Sequence, residues 1–533
     1  MTLLNETWNG KENKNVSLRN GTLQNLSNSS KTEVIEGWLI DKLSQILAIE
    51  PNQIDVSQDF DEFGLDSAEA INLSGELENY LGCRLSPTLL WDYKNIETLA
   101  KYLATNFKPV SSEETSVSLE TEACQPNEVA EILPENYIFD RFPEYQKLRS
   151  QLERVSSLGK GNPFFVPQEK IVNDKTTVNG RELINFATYN YVGMCGDPVV
   201  SQAAKDATDL YGTSACASRL ISGEKPLHKE LEAEIADFIG VEDSIVMVGG
   251  HATNVTTIGH LFGKNDLVIY DSLSHNSILQ GCFLSGASLV AFPHNDAAAL
   301  AKILRERRHR YQRVLIAIEG VYSTDGDIAD LPQFIALKKR YKAFLMVDEA
   351  HSMGTIGNSG RGISEYFGVN PRDVDIWMGT LSKSFASCGG YIAGDRALVE
   401  YLKYTAPGFV FSVGMSPPNT AATLAAVRVL KAEPERAVIL QARAKLFLEL
   451  ARAKGLKTGM SKDSPVIPII VGDSLKSIQL SQQLFQRGIN VPFMIYPSVP
   501  QNEARLRFFV TCNHTEEQIR FTIDTVSEEL AKL

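Results

Sequence analysis

The sequence has no apolar run long enough to cross a membrane. Its longer apolar runs, such as VIPIIV at 466–471, fall far short of the ~20 residues that a spanning helix needs. It also lacks the charged and then apolar opening segment of a secretory signal peptide. We therefore expect a cytoplasmic protein without a membrane span.

Cysteine is scarce, and its spacing indicates no metal chemistry. The 533 residues contain 7 cysteines, none of them in a CxxC or zinc-finger pattern. This spacing predicts no metal site. Isolated thiols without a disulfide framework also fit a reducing compartment.

Basic residues are fewer than acidic residues, and the excess of acidic residues is unevenly distributed along the chain. The formal net charge is −13, which argues against a nucleic-acid partner. Between Lys31 and Thr105 there are 14 Asp and Glu against 5 Lys and Arg, a net charge of −9. One short segment therefore holds most of the imbalance, and an acidic surface of this kind can steer a basic partner patch.

The chain divides by pattern into five segments. Residues 1–30 are rich in Asn, Ser and Thr and are predicted to form a disordered tail. Residues 31–105 have helical periodicity and are predicted to form a small bundle. Residues 106–131 lack periodicity and are predicted to be a linker, which as a flexible coil spans ~30 Å. Two further domains are predicted at 132–430 and 431–533.

The bundle is predicted from an apolar stripe in the segment EVIEGWLIDKLSQILAI. The residues of this stripe are Ile35, Leu39, Leu43, Ile46 and Leu47. A second helix is predicted over SAEAINLSGELENYL, and IETLAKYLA supplies a third.

Apolar strand-like runs alternate with helical patterns from about residue 180 onward. The runs are SIVMVGG, DLVIYD, SLVAF, VLIAIEG, FLMVDEA, DIWMG and GGYIAG. Continuous Val, Ile and Leu indicate strands that are buried on both faces, as in a mainly parallel sheet covered by helices. We therefore predict an α/β domain.

The last hundred residues predict a smaller α+β domain. SPVIPIIV and RLRFFVT have the pattern of strands. Thr515 and Gln518 have the spacing of a capping box that opens a final helix.

Ser67 follows Gly64-Leu65-Asp66 at the start of a helical pattern. Taken alone, a serine in this place is most often a helix N-cap. Within its acidic bundle, however, the Asp-Ser pair resembles that of an acyl carrier protein, and LSPTLLWDYKNIETLAKYL resembles the end of polyketide-synthase carrier domains. The resemblance implies that Ser67 carries a 4'-phosphopantetheine arm, whose thiol holds an acyl group as a thioester.

Lys383 and Asp348 each follow a predicted buried strand. Lys383 comes just after DIWMG, and Asp348 ends FLMVD. In an open α/β sheet the carboxyl ends of the strands bind ligands. A lysine that forms a Schiff base and an aspartate beside the pyridinium nitrogen are the pair that pyridoxal phosphate chemistry requires. A surface lysine on a loop is the alternative interpretation.

The blocks around these two residues carry a more specific resemblance. DEAHSMGTIGNSGRG, EGVYSTDGD, DSLSHNSILQG and NYVG together resemble the α-oxoamine synthases, which are fold-type I pyridoxal phosphate enzymes. The resemblance runs from about residue 160 to the end. It implies a fold-type I large domain with a small C-terminal α+β domain, in a homodimer with active sites at the subunit interface.

The resemblance also implies a role for each matching residue around the cofactor ring. Lys383 forms the Schiff base and moves the α-proton of the substrate, and Asp348 pairs with the ring nitrogen. His275 stacks on the ring and orients the substrate carboxylate. His351, with Ser323, hydrogen-bonds the phenolic oxygen.

Other matching residues are implied to bind the phosphate group. Thr380 and the Gly250-His251 turn contact the phosphate, the turn through backbone N–H groups at a helix start. Ser412 and Ser416 correspond to a segment that the second subunit contributes near the phosphate. His251 departs from the family, which usually has an aromatic residue there.

The amino-acid substrate is implied to meet two residues. Arg507 corresponds to the arginine that holds the substrate carboxylate, a task that suits the guanidinium fork. Arg505 is a neighbour that sequence alone does not separate from it. Asn190 is implied to line the substrate site.

These parts together predict a decarboxylative Claisen condensation. Lys383 removes the α-proton of an amino acid, and the resulting carbanion attacks an acyl thioester. Loss of CO2 then yields an α-amino ketone. The carrier resemblance predicts that the acyl chain arrives on Ser67 and that the pathway makes a natural product, with a polyketide synthase or acyl-loading enzyme as partner.

Two alternatives use the same sequence differently. An aminotransferase would need the same lysine, aspartate and arginine, although the DEAHSMGTIGNSGRG block and the carrier argue against it. A non-catalytic scaffold is the other alternative, and the retention of Lys383, Asp348, His275 and Arg507 argues against that. The sequence leaves open which amino acid, which acyl chain and which subunit of the dimer the carrier serves.

Overall fold

The computed structural model describes residues 28–47, 49–63, 67–81, 85, 89–93, 95–106, 132–157, 163–496 and 498–533. The chain divides into two compact units, Met1–Asn127 and Glu128–Leu533. The predicted tail up to residue 27 and the predicted linker from residue 107 lie outside the described residues. Every helix within the described ranges is too short or too polar to span a bilayer.

The first unit is a small helical bundle. Its helices are α1 (Asn28–Leu47), α2 (Ser67–Leu81), α3 (Leu89–Asp92) and α4 (Ile96–Asn106). Leu39, Leu43, Leu77 and Leu99 are fully buried between them and form the centre of the core. Ile46, which belongs to the predicted stripe of α1, is 39% exposed, whereas Leu47, the last residue of the helix, is partly buried against the core.

Strands occur only in the second unit within the described part of the chain. They are β1 (Lys175–Val178), β2 (Arg181–Asn185), β3 (Asp243–Met247), β4 (Leu267–Asp271), β5 (Ser288–Phe292), β6 (Val314–Glu319), β7 (Phe344–Asp348), β8 (Ile376–Thr380), β9 (Gly390–Gly394), β10 (Val466–Gly472), β11 (Ile489–Asn490), β12 (Phe493–Met494) and β13 (Ala504–Phe509).

A seven-stranded sheet forms the centre of the second unit. Its order is β3-β9-β8-β7-β6-β4-β5, and only β9 runs antiparallel to its neighbours. All seven strands coincide with the apolar runs that predict them. The four strands β4, β6, β8 and β9 are buried along their whole length, as expected for strands covered on both faces.

The helices of this unit differ in burial: the first, Pro143–Ser157, is exposed along most of its length, whereas most of the others cover the faces of the sheet or support the smaller sheets. The helices are α5 (Pro143–Ser157), α6 (Pro198–Tyr211), α7 (Pro226–Ile239), α8 (Gly250–Leu261), α9 (Asn276–Ser285), α10 (Ala297–Arg307), α11 (Leu331–Tyr341), α12 (Ile363–Phe367), α13 (Arg396–Thr405), α14 (Pro407–Val410), α15 (Pro417–Ala432), α16 (Glu435–Ala453), α17 (Ser474–Gln486) and α18 (Glu516–Leu530). The predicted capping box opens α18, where the Gln518 N–H donates to the Thr515 hydroxyl and the Gln518 side chain accepts from the Thr515 N–H.

Two smaller sheets lie beside the large one. The first has the order β10-β13-β12, and the second has the order β1-β2-β11. The sequence did not predict β1, β2, β11 or β12. Because β11 pairs with β2, the segments on either side of the predicted boundary at residue 431 share one sheet, and that boundary itself falls in the last turn of α15.

The parallel strands of the large sheet end at one edge. The register places Glu319 of β6 directly beside Asp348 of β7. Thr380 ends β8, and Lys383 lies in the loop that follows. Such an edge is where open α/β sheets bind ligands.

Candidate active site

Lys383 is half-buried at the carboxyl edge of the sheet, where its ammonium group lies 5.5 Å from the centre of the Tyr189 ring. Burial lowers the pKa of Lys383 to about 8, although the charges of Asp348 and Glu319 oppose the shift. A lysine in this state has a substantial uncharged fraction near neutral pH, which a nucleophile or general base needs.

Asp348 is buried at the end of β7, with both carboxylate oxygens in hydrogen bonds. The amide of Asn254 on α8 donates to Oδ2 at 2.8 Å, and the Ala350 N–H donates to Oδ1 at 2.9 Å. Asn254 also donates to the Ser277 hydroxyl at 2.9 Å. Neither Asn254 nor Ser277 stands out in the sequence, because Asn254 meets Asp348 and Ser277 across long stretches of chain.

His275 is the N-cap residue of α9. Its Nδ1 lies 2.7 Å from the Ser277 hydroxyl, and the Ser277 N–H donates to the same nitrogen at 3.2 Å. Its backbone N–H donates to Glu319 at 2.5 Å. Burial lowers the pKa of His275, so the ring is neutral near pH 7.

Glu319 is a buried carboxyl group that the sequence analysis missed. Burial, reinforced by the neighbouring charge of Asp348, raises its pKa well above the ordinary value. Its sequence signal is the acidic residue at the end of VLIAIE, in the same place on β6 as Asp348 on β7. Its hydrogen bond to the backbone of His275 ties the start of α9 to the sheet.

His351 follows Asp348 by three residues and is 4% exposed. Its Nδ1 lies 2.8 Å from the hydroxyl of Tyr191, which is fully buried. Burial lowers the pKa of His351 and raises that of Tyr191, so both groups are neutral near pH 7. The Tyr191 hydroxyl therefore fixes the orientation of the His351 ring by bonding to its Nδ1.

Arg505 and Arg507 differ in the charge of the groups that they contact. Arg505 is 1% exposed and pairs with Asp325 and Glu503, each at 2.6 Å. Arg507 donates to the carbonyl of Ser323 at 2.8 Å, and its Nε is buried without a partner in the described part of the chain. Its guanidinium group stacks 4.6 Å from the centre of the Phe509 ring. Arg507 therefore retains hydrogen-bonding capacity for a ligand, whereas the charge of Arg505 is neutralised.

We expect opposite consequences from removing these two arginines. Arg507→Ala should raise the amino-acid KM about 100-fold, because a carboxylate loses charge-assisted hydrogen bonds, and should leave the unfolding temperature nearly unchanged. Arg505→Ala should lower the free energy of unfolding by about 3 kcal/mol, because Asp325 is left charged and buried. Steady-state kinetics and thermal unfolding of both variants check this. The reverse pattern would contradict the assignment.

Ser323 lies on a loop that is fastened by buried ion pairs. His294 bridges Asp271 and Asp327, with 2.8 Å from each ring nitrogen to a carboxylate oxygen. Despite burial, the two carboxylates raise the pKa of His294 to about 10. The histidine is therefore a cation near neutral pH, and it ties the loop that carries Ser323 to the end of β4.

Gly250 and Thr380 form a close contact at the start of α8. A Cβ atom added at Gly250 would lie 2.6 Å from the Thr380 hydroxyl, and one added at Gly390 would lie 2.9 Å from the Gly250 Cα. Only glycine fits here, so backbone N–H groups of α8 are accessible beside a hydroxyl. A helix start of this kind binds phosphate. His251 is exposed next to it, with its ring 6.5 Å from that of His275.

Asn190, Ser412 and Ser416 are the remaining candidate residues of the second unit. The Asn190 side chain bonds to Val172, Asn173 and Cys195 within its own loop region. Ser412 follows α14, and Ser416 is the N-cap residue of α15. Within the described ranges, neither serine hydrogen-bonds Lys383 or Thr380. Their predicted roles remain predictions, as does that of Ser67, which is the first residue of α2.

The cluster fits a phosphorylated pyridine aldehyde. It offers a half-buried lysine of lowered pKa, the Asp348 carboxylate, a neutral histidine and backbone N–H groups at a helix start beside the Thr380 hydroxyl. The orphaned Nε of Arg507 supplies a donor for an acidic substrate. Among the described residues, no group of three or more His, Cys, Asp or Glu is arranged to hold a metal ion.

Comparison with protein families finds two matches in the chain. Residues 37–103 match the phosphopantetheine attachment site family, and residues 181–526 match the class I and II aminotransferases.

Individual proteins of known sequence or structure also match the second unit. The 8-amino-7-oxononanoate synthase of Symbiobacterium thermophilum is 40% identical over 345 residues, which cover 65% of this chain and 88% of that protein. The solved serine palmitoyltransferase of Sphingomonas wittichii is 32% identical with a TM-score of 0.69, covering 73% of this chain and 97% of the other. A serine palmitoyltransferase structure that contains pyridoxal phosphate matches at 30% identity and a TM-score of 0.69, over 72% of this chain and 97% of that chain.

Proposed function

Because the chain belongs to the α-oxoamine synthases, acyltransferases that depend on pyridoxal phosphate, and carries a phosphopantetheine attachment domain, we propose that it condenses an amino acid with an acyl thioester held on its own carrier domain. The product is an α-amino ketone, and the proposed setting is natural-product biosynthesis. One observation carries the proposal: the carrier and the synthase are parts of a single chain.

Pyridoxal phosphate, when bound, supplies an electron sink for the α-carbon of the amino acid. Lys383 would hold its aldehyde carbon, and Asp348 would keep its ring nitrogen protonated. The N–H groups at the start of α8 and the Thr380 hydroxyl would bind its phosphate. His351, held by Tyr191, would face its phenolic oxygen.

The side chains around the substrate divide the remaining work. Arg507 would bind the carboxylate of the amino acid and orient its α-carbon. The Lys383 amine, with a pKa of about 8, would accept the α-proton. The α-carbon then bonds to the acyl carbonyl carbon, the carrier thiol leaves, the carboxylate departs as CO2, and a proton returns to the α-carbon. Neutral His275 would contribute a hydrogen-bond donor to this site.

A fused carrier changes how the thioester reaches this site. Attachment through Ser67 would make acyl delivery intramolecular, with an effective concentration in the range of ~1 mM for a flexible linker of suitable length. A separate enzyme, such as a polyketide synthase, would load the acyl chain. We also propose a homodimer in which Ser412 and Ser416 serve the site of the other subunit, because neither serine hydrogen-bonds Lys383 or Thr380 among the described residues of its own chain.

The test begins with protein whose carrier is loaded with a defined acyl group. Amino acids are added one at a time while the visible absorbance of the cofactor is followed, and products are identified by mass spectrometry. We expect one amino acid to shift the band, and the loaded carrier then to give an aminoketone together with CO2.

Protein without the phosphopantetheine arm is the control for delivery, because it keeps the synthase unit intact. Conversion of an amino acid to its oxo acid without thioester would instead indicate an aminotransferase. Equal rates from the loaded carrier and from dilute acyl-coenzyme A would contradict the delivery role.

A further inference from the structure

A continuous chain of hydrogen bonds connects Asp348 to His275. Asn254 of α8 donates to Asp348 Oδ2 at 2.8 Å and to the Ser277 hydroxyl at 2.9 Å. The Ser277 hydroxyl lies 2.7 Å from His275 Nδ1. The four side chains come from the end of β7, from α8 and from the start of α9, so only the tertiary structure brings them together.

The donors and acceptors in this chain follow from Asp348. An ionised carboxylate only accepts, so the NH2 end of Asn254 must face it. The second hydrogen of that NH2 group is then directed to the Ser277 oxygen. Ser277 therefore has its own O–H free to donate, and the acceptor within reach is His275 Nδ1.

Two donors thus converge on one nitrogen of His275. The Ser277 N–H reaches Nδ1 at 3.2 Å in addition to the hydroxyl. Nδ1 must therefore carry its lone pair, and a neutral ring carries its hydrogen on Nε2. No other described residue hydrogen-bonds Nε2, so this N–H can donate to a bound molecule.

The stability of the fold alone does not account for this chain of hydrogen bonds. Asn254 and Ser277 are each 1% exposed, and Asn254 Oδ1 is buried without a partner among the residues that the structure describes. Leaving a buried acceptor unpaired costs free energy, which an apolar side chain of the same size would avoid. A site that tolerates this cost indicates a requirement for polarity at Asn254.

We propose that Asn254 and Ser277 are positioning residues, which couple the carboxylate of Asp348 to His275 and hold His275 with its N–H on Nε2, as a donor to the carboxylate of the incoming amino acid. This rests on the proposed function for the identity of the substrate. The opposite tautomer would direct a lone pair from Nε2 at that carboxylate and repel it. Asn254 contacts Asp348 directly and His275 through Ser277, whereas Ser277 acts on the histidine alone.

Three variants separate these roles. Ser277→Ala removes the hydroxyl from the chain of hydrogen bonds, and Asn254→Leu removes the coupling while keeping the number and branching of the side-chain heavy atoms. Thr257→Val is the matched control, because Thr257 lies on α8 near Asn254 and its fully buried hydroxyl has no partner in the described part of the chain.

The first measurement does not depend on activity. Protein labelled with 15N-histidine and free of cofactor is studied by long-range 1H–15N correlation, with His275 identified by its loss in His275→Asn. We expect the unmodified protein and Thr257→Val to show the hydrogen on Nε2, and Ser277→Ala to show a mixture, because it loses the hydroxyl at 2.7 Å from Nδ1 and keeps the longer bond from the Ser277 N–H at 3.2 Å. An unchanged tautomer in Ser277→Ala would overturn the proposal, whether or not the protein proves to be a condensing enzyme.

The second measurement compares the change in the amino-acid KM with the change in affinity for pyridoxal phosphate. Ser277→Ala should raise the amino-acid KM about tenfold while changing the affinity for pyridoxal phosphate less than about twofold. Asn254→Leu should weaken both, because Asp348 loses a donor as well. Equal KM values in Ser277→Ala and Thr257→Val would contradict the positioning role, and absence of any condensation in the unmodified protein would contradict only the proposed function.

Discussion

Replacing Lys383 with alanine should lower the rate of condensation by about 1000-fold or more, because the proton acceptor for the α-carbon is lost. The buried position of this amine beside Asp348 and its lowered pKa are the observations behind the expectation. The measurement is product formation from an amino acid and an acyl thioester in single-turnover and steady-state assays.

Lys445→Ala is the control for the loss of a lysine. Lys445 lies on α16 with a side chain that is 76% exposed, and it should be replaceable without effect on activity. Wild-type rates in Lys383→Ala would exclude the catalytic assignment and favour a scaffold.

The rate at which the apoprotein takes up pyridoxal phosphate should depend on pH in a way that reports the pKa of the Lys383 amine. Only the uncharged amine attacks the aldehyde. With a pKa of about 8, the uncharged fraction rises as the pH rises through that value and then levels off. Uptake should therefore increase about tenfold between pH 7 and pH 9. A rate that still climbs steeply above pH 9 would indicate an ordinary lysine, with a pKa near 10.4.

Replacing Ser67 with alanine should abolish condensation from the carrier and spare condensation from a free thioester. Without the hydroxyl there is no attachment point for phosphopantetheine, so no acyl group can be delivered on the chain. The synthase unit lacks no residue, so its rate with saturating acyl-coenzyme A should stay within about twofold. Intact-protein mass spectrometry and aminoketone formation measure the two properties separately.

Ser57→Ala is the matched control within the carrier unit. Ser57 is exposed and hydrogen-bonds Asp55, so its loss should leave loading and condensation unchanged. Loading that persists in Ser67→Ala would assign the arm to another serine. Loss of the free-thioester reaction in Ser67→Ala would indicate that the serine supports the synthase rather than delivery.

The large sheet was predictable because its strands are buried on both faces. A strand such as β6 has five consecutive apolar residues, VLIAI, before Glu319, and such a run is visible without knowledge of its neighbours. The strands β11 and β12 have two residues each and were missed, because their existence depends on pairing with distant segments. The same reasoning applies to β2, which is partly exposed and pairs with β11 some 300 residues later.

The two arginines of β13 show a limit of sequence periodicity. Arg505 and Arg507 are two residues apart, so strand alternation places both on one face. Their difference arises from the loop opposite, where Asp325 neutralises Arg505. Arg507 instead donates to the neutral Ser323 carbonyl and, outside that loop, to the Tyr189 hydroxyl at 3.4 Å. The family resemblance selected Arg507 as the candidate, and the structure supplies a physical distinction between the two arginines.

The sequence by itself determined the helical carrier segment and the α/β fold, because each depends on a local pattern, and it placed the candidates Lys383 and Asp348 at or just beyond the ends of predicted strands. The tertiary structure alone decided which groups hydrogen-bond Asp348, His275 and His351. Glu319, Asn254, Ser277 and Tyr191 come from separate elements, and Asn254 meets Asp348 across 94 residues of chain. Hydrogen bonds of this kind have no sequence signature, because their geometry exists only once helices α8 and α9 have packed against the sheet.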